Sequence, residues 1–379
     1  MNRLRIEKRW LPDLRLGPGI FLPLLAGLAA YGWRVACALL IVYAGAYLTR
    51  LVLNRLRTFT AEQGRLHLLL RCGLITLFLP ATLADPDRAG FSASAGWPAL
   101  LSAGVLVSLL TWLISRLGWA RCDATVLTLL LLAIAGPRLI ETNRVLQAED
   151  AFTADLLDPH TAARPTSTAE PWLSAAPREG PVVWIVEPAS QRLAMFVEGR
   201  LLPGRPAQTI TRLVSDDLPP LEDLVIGAHP GRVGQTSAIA LLVGGLFMVY
   251  RGVVAFRLPV IMLTACVSAM LVLPMPVLVG HNEIIRKWLF VTDPSVGWAM
   301  GVTLINYIIT ASPILLTTLL LATIPGIRPT GGRAAKLFAL AFGICAAVAT
   351  INISFHYGAL IALALVQFFT PSIERHFAR

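Results

Sequence analysis

Residues 227–259, GAHPGRVGQTSAIALLVGGLFMVYRGVVAFRLP, set a glycine-punctuated loop directly before a long apolar run. Gly231 and Gly234 offer bare backbone N–H groups, and Gln235, Thr236 and Ser237 stand at the start of the predicted helix. The first N–H groups of a helix have no intrahelical partner and the dipole is positive there, so such a start attracts anions, phosphate among them. Thr236 and Ser237 suit an ordinary solvated helix cap equally well. Asp293 lies between two apolar stretches. A carboxylate at membrane depth is costly and often lines an ion or proton path. With Pro294 beside it, Asp293 also suits a cap for the following helix, and that reading is favoured.

Other polar side chains carry weaker signals. His281 and Glu283 are two apart and lack nearby ligands, which argues against a metal. Glu283 with Arg286 and Lys287 reads as an interfacial ion cluster, Asp123 as a dipole partner at a helix start, and His356 as a solvated histidine. The chain has no nucleophile elbow, P-loop or carboxylate pair suited to hydrolysis, so no catalytic residue is assigned.

The elements that position these residues are membrane helices. Of 379 residues 56% are hydrophobic and only 14% charged, against about a quarter charged in soluble domains. Apolar runs near 18–33, 35–53, 66–84, 97–115, 120–136, 236–256, 258–280, 296–325, 335–353 and 357–373 predict about ten spans of the required ~20 residues. The first run follows a basic start and precedes no small-residue cleavage site, so a retained helix is expected, not a signal peptide. The segment 281–295 is too polar for a lipid-facing span and is expected to be interfacial or re-entrant.

The chain's charge is +10. Arg3, Arg5, Lys8, Arg9 and Arg15, then Arg50, Arg55, Arg57 and Arg65, then Arg116 and Arg121, Arg251 and Arg257, and Arg328, Arg333 and Lys336 all fall on one side if spans alternate, which makes that side cytoplasmic. The connection 85–96 is acidic, in agreement. Basic residues at helix ends, with none interleaved with exposed aromatics, speak against nucleic acid. Cys37, Cys72, Cys122, Cys266 and Cys345 lie in or beside apolar runs without a CxxC pair, so they read as small packing residues rather than disulfides or an iron–sulfur site.

Three parts follow: a five-helix half at 1–136, an extracytoplasmic segment at 137–235, and a five-helix half at 236–379. The middle part carries nine Arg against thirteen acids. Within it, 160–180 reads as a flexible connection, and 182–188 with 192–202 as a β-hairpin. An odd span count turns the second half over, which permits an inverted repeat with a site between the halves. The fold class expected is an all-α integral membrane protein with this small hairpin in its insertion.

Several segments resemble the D subunit of Rnf electron-transport complexes and the B subunit of Na⁺-translocating NADH:quinone reductase. GRVGQTSA at 231–238 is similar to a family Gly-x-x-Gly-Glu-Thr-Ser-Ala segment, with Gln235 where Glu is usual. Gly244 and Gly245, Arg257-Leu258-Pro259, Thr292-Asp293-Pro294 and the run Arg328 to Arg333 resemble further family motifs. HYGALIALALVQFFTPSIER at 356–375 resembles the last helix, which usually begins Tyr-Pro-Glu-Gly. The resemblance covers 205–375, and the first half only in hydropathy.

The resemblance implies an FMN joined through its phosphate to a threonine. Thr211 falls at that acceptor position and Leu213 fits, while Arg205 replaces an Asp, and Gln208, Thr209 and Ile210 replace small residues. A noncovalent flavin held by 227–238 is the other form. It further implies a multi-pass subunit of the bacterial plasma membrane, and the charge placement puts both termini in the cytoplasm. Partner subunits would carry flavin and iron–sulfur centres, and electron flow would be coupled to Na⁺ or H⁺. A flavin-free scaffold subunit and an inverted-repeat permease are the rival expectations.

Overall fold

The computed structural model describes residues 16–55, 65–80, 96–117, 123–135, 145–147, 173–174, 183–186, 189–200, 207–227, 231–280, 283–324, 326–329 and 331–377. The basic N-terminus, Arg57, the connection 85–95, Cys122, most of 160–180, Arg205 and His281 lie outside them. A helix lies at each of the ten predicted positions. In the first half these are α1 (Gly17–Tyr31), α2 (Trp33–Arg55), α3 (Arg65–Phe78), α4 (Gly96–Leu117) and α5 (Ala124–Ala135).

Three short strands follow, β1 (Val145–Gln147), β2 (Leu173–Ser174) and β3 (Val183–Val186). Then come α6 (Ala189–Val197), β4 (Ala207–Thr209), a helical turn Ile210–Arg212 that widens into a π turn Leu213–Asp217, and α7 (Leu221–Ile226). The second half is α8 (Ala238–Tyr250), α9 (Arg257–Val272), the strands β5 (Met275–Gly280) and β6 (Ile284–Lys287), α10 (Trp298–Ala311), α11 (Ile314–Leu316) running into a π turn Thr317–Leu321, α12 (Gly332–Asn352) and α13 (Gly358–Phe377).

By length and composition α2, α4 and α12 can each cross a bilayer, and α10 with the segment 314–321 forms an apolar pair bent by 62°, a broken span or a re-entrant loop. That bend sits at Ser312-Pro313. Ser312 is extended (φ −91°, ψ 164°), as the residue before a proline must be to avoid the ring. The apolar helices α1, α5, α8 and α9, and the apolar stretch of α3, are shorter than a full span.

Close helix packing rests on small residues. A Cβ at Gly104 of α4 would sit 2.0 Å from the Val42 carbonyl of α2, so only glycine lets these backbones touch, as in other lipid-embedded helix pairs. The contacts run in matching pairs: α2 on α4 and α9 on α12, α4 on α5 and α12 on α13, α1 on α3 and α8 on 314–321, with α1 on α8 and α5 on α13 joining the halves.

Three predicted elements differ. The expected strand 192–202 is instead helix α6, whose Ala189, Ser190, Leu193, Ala194 and Val197 form one buried stripe at helical spacing. The partners of β3 are β1 and β2, both antiparallel. The expected span 258–280 stops at Val272, because Pro274 and Pro276 cannot continue a helix. The chain then forms β5, which pairs antiparallel with β4 (Thr209 opposite Leu278) and with β6. The segment 281–295 thus contains a strand and a turn. A second core is formed by α6, the 210–218 turn, β5, α10 and the 347–359 junction.

Candidate functional site

The loop that precedes α8 closes on itself. Gly227 ends α7 in the left-handed region (φ 112°), and a Cβ there would stand 2.9 Å from the Thr236 carbonyl. Within the loop several donors are already used. The Tyr31 hydroxyl, from the end of α1, donates to the Gly231 carbonyl (2.8 Å) and accepts from its N–H (2.6 Å). The Val233 N–H donates to the Leu79 carbonyl (3.2 Å) beyond α3, and the Gln235 N–H to the Arg232 carbonyl (2.8 Å). Thr236 donates back to the carbonyls of Arg232 and Val233 (3.1 and 3.0 Å). Ser237 is the N-cap of α8, accepting from the Ala240 N–H and donating to the Val225 carbonyl, both at 3.3 Å.

Gly234 is pressed against α3, where a Cβ would meet Leu77 at 2.8 Å. The structure therefore brings Gly231, Gly234, Gln235, Thr236 and Ser237 together, but as a packed plug across the ends of α1, α3 and α8. A cavity of about 20 Å³ adjoins them, lined by Ser190, Gly231, Gln235, Thr236 and Thr310 among others. That volume holds about one water. Ser190 Oγ and Gln235 Nε2 face no partner.

Arg232, in the same loop, is the residue that sequence reasoning passed over. It is 1% exposed. Its Nη1 donates to the His356 carbonyl (3.1 Å), and its guanidinium lies 5.6 Å from the centre of the Tyr357 ring. Burial lowers its pKa to about 10, against the raising effect of Tyr357. His356, expected to be solvated, is instead partly buried. Its pKa is pushed down to about 3, first by burial and then by the charges of Arg232 and Arg200, so the imidazole stays neutral.

Thr211 lies elsewhere, on the turn after β4. It is exposed, its carbonyl accepts from Ser215 Oγ (2.8 Å), and its own hydroxyl has no partner among the described residues. The turn is held from below by a buried polar clamp. Arg192 Nη1 donates to the Asp217 carbonyl (2.8 Å) and stands 3.9 Å from its carboxylate. Gln208 Nε2 donates to Asp217 Oδ2 (2.8 Å). Gln208 and Ile210 are 0% and 1% exposed, so two of the three residues that replace the family's small ones anchor the turn.

Asp293 sits in the turn between β6 and α10. Its carboxylate pairs with Lys287 and accepts from the Ser295 N–H (2.9 Å) and hydroxyl. Lys287 and Ser295 hold it well below the usual range, at about 2. It organises this turn rather than capping α10, whose N-cap is Gly297. Asp123 does stand at the start of α5, accepting from the Thr125 N–H (2.7 Å), and adds a buried ion pair to Arg71 at 3.8 Å. Among the described residues no three His, Cys, Asp or Glu side chains come together.

Residues 168–379 match the model of the NQR2, RnfD, RnfE family. The chain belongs to this family. A curated relative is the D subunit of the Na⁺-translocating ferredoxin:NAD⁺ oxidoreductase complex of Acetobacterium woodii, 24% identical over 161 residues. The match covers 42% of this chain and 42% of that protein, so the chain spans less than half the length of the relative. The family match takes in Thr211, the 231–237 loop, Asp293 and the 353–357 junction, whereas α1 to α5 lie outside it.

Proposed function

We propose that this chain is a membrane subunit of an ion-translocating redox complex of the Rnf/Nqr type, that it carries FMN on Thr211, and that electron flow through the complex moves Na⁺ or H⁺. The observation that carries the reading is the family match across 168–379, which includes an exposed threonine hydroxyl at the acceptor position. The Acetobacterium protein is named as one subunit of a complex, which supports partner subunits here; in this reading they carry the flavin and iron–sulfur centres. Bound FMN supplies the electron transfer. The chain's own residues fix its attachment point: Arg192, Asp217 and Gln208 hold the turn, and Thr211 offers the oxygen.

The 231–237 loop does not fit a flavin phosphate. Gly231 spends its N–H on Tyr31, Ser237 caps α8, and the adjoining cavity holds about one water. The noncovalent form therefore finds no support there. Asp293 has Lys287 and Ser295 as partners and supports a turn, not an ion route.

The matched helix contacts support an inverted repeat of two five-helix halves, since α2 on α4, α4 on α5 and α1 on α3 each have a counterpart in the later half. With ten spans in alternation, α6, β4–β6 and the loop 231–237 share the outer face with the ends of α1 and α3, and both termini are cytoplasmic.

Purification with partner subunits, in-gel flavin fluorescence and mass analysis of the Thr211 peptide test the reading. FMN mass on that peptide is expected. Flavin elsewhere, or none, refutes the attachment. A second reading, a flavin-free scaffold subunit, is favoured by the burial of Gln208 and Ile210, since a flavin transferase would have to work on an anchored turn. The permease reading has the family match against it.

A further inference from the structure

We propose that Arg232 binds the phosphate group of a resident ligand where the loop before α8 meets the junction of α12 and α13. Arg232 is 1% exposed, and its Nε and Nη2 are buried without a partner. These two nitrogens form the side-on edge of the guanidinium, whose parallel donors match two oxygens of one oxyanion. The rest of the side chain is already fixed: Nη1 is held by the His356 carbonyl and the planar face lies over Tyr357. The group is thus oriented with its strongest recognition edge unspent.

No carboxylate compensates this charge among the described residues. A buried charge is retained only when it is paired and hydrogen-bonded. The same corner holds further cations. Arg200, whose charge is offset by its ion pair with Glu198, acts on His356, and Arg286 donates to the Val197 carbonyl (2.9 Å) and to Asn352. His356 adds no negative charge. This excess of positive charge favours a phosphate over a singly charged carboxylate. The edge is sealed from solvent, so the chain folds or assembles around the anion rather than exchanging it freely.

The inference does not rest on a flavin at Thr211. It differs from the loop reading because the Gly231 N–H and the Thr236 and Ser237 hydroxyls are spent, whereas Arg232 Nε and Nη2 are not.

The test uses the full chain with its co-purifying subunits, exchanged into phosphate-free detergent until its phosphorus content is constant. Total phosphorus is compared in wild type and R232M, with the likewise uncharged R232Q in its place if R232M does not accumulate. Wild type is expected to retain phosphorus in stoichiometric amount after the variant's content is subtracted. The variant should hold at least about tenfold less at this site, the loss expected for one charge-assisted pair. Recovery in the organic phase assigns a phospholipid headgroup, and recovery in water after denaturation a free phosphate or phosphate ester. FMN attached at Thr211 contributes equally to both proteins and cancels. Equal phosphorus in both overturns the proposal, as does a variant more heat-stable than wild type, the sign of an uncompensated charge removed.

Discussion

Asp217→Ala tests whether the buried clamp sets the Thr211 turn. Gln208, Asp217 and Arg192 are 0%, 1% and 2% exposed, so bulk water does not compensate their polar groups. Removing the carboxylate takes the acceptor from the Gln208 amide and the negative charge from beside the Arg192 guanidinium. Breaking a buried pair at one partner costs about 3–5 kcal/mol. Arg192 keeps its bond to the Asp217 backbone carbonyl at 2.8 Å, which puts the expected loss near the lower end. About 3 kcal/mol multiplies a local opening equilibrium roughly a hundredfold. Arg212 lies exposed within the same turn, so limited trypsin digestion reads the opening directly, as cleavage after Arg212 in the full chain in detergent. Asp217→Asn, which keeps an acceptor for Gln208, should fall between wild type and Asp217→Ala. Cleavage after Arg212 that changes less than twofold in Asp217→Ala would refute the reasoning, because the turn would then be held by something else.

Tyr31→Phe strips both bonds from Gly231 and should cost about 1–3 kcal/mol for the buried peptide groups left unpaired, read as a lower unfolding temperature; an unchanged temperature would mean water replaces the hydroxyl. Gly231→Ala should be tolerated, since its nearest neighbours would stand 3.9 Å away, whereas Gly234→Ala meets Leu77 at 2.8 Å and should lose about 1–3 kcal/mol by overpacking; equal behaviour of the two variants contradicts the packed-plug geometry. For His356 the folded pKa near 3 lies below the ordinary 6.5. Only the unfolded chain binds a proton between these values, so stability is full above pH 6.5 and falls as pH drops toward 3. Comparing wild type with His356→Gln across pH 4–8 checks this, and identical acid profiles would count against a buried neutral imidazole.

How much of this was legible from the chain depended on whether the deciding contact was local. The ten helix positions follow from apolar runs, which record a local transfer preference. The breaks at Ser312-Pro313 and Pro274 were legible too, through proline's effect on the preceding residue, yet run length alone joined them into single spans. Helix α6 was misread because a window starting at Arg192 hides Ala189 and Ser190, and with them the helical stripe through Leu193 and Val197. The clamp of Arg192, Gln208 and Asp217, and the pair Arg71–Asp123, join residues up to 52 apart, and no period announces such partners.

The glycine loop shows why a motif must be followed to its donors before it is assigned a ligand. Glycines before a helix satisfy two different demands. One is a backbone left open for an anion. The other is a close approach between helices in lipid, where small residues let backbones touch. Spacing cannot separate them, but the fate of each N–H can. At Gly231 the N–H is bonded to Tyr31, and at Gly234 the missing side chain makes room for Leu77. The loop thus serves to join α1, α3 and α8. Arg232 stands among these glycines and is held at one nitrogen and one face only. The rigid plug keeps its unspent edge in place, so the glycines act on any anion through the arginine they position rather than by touching it.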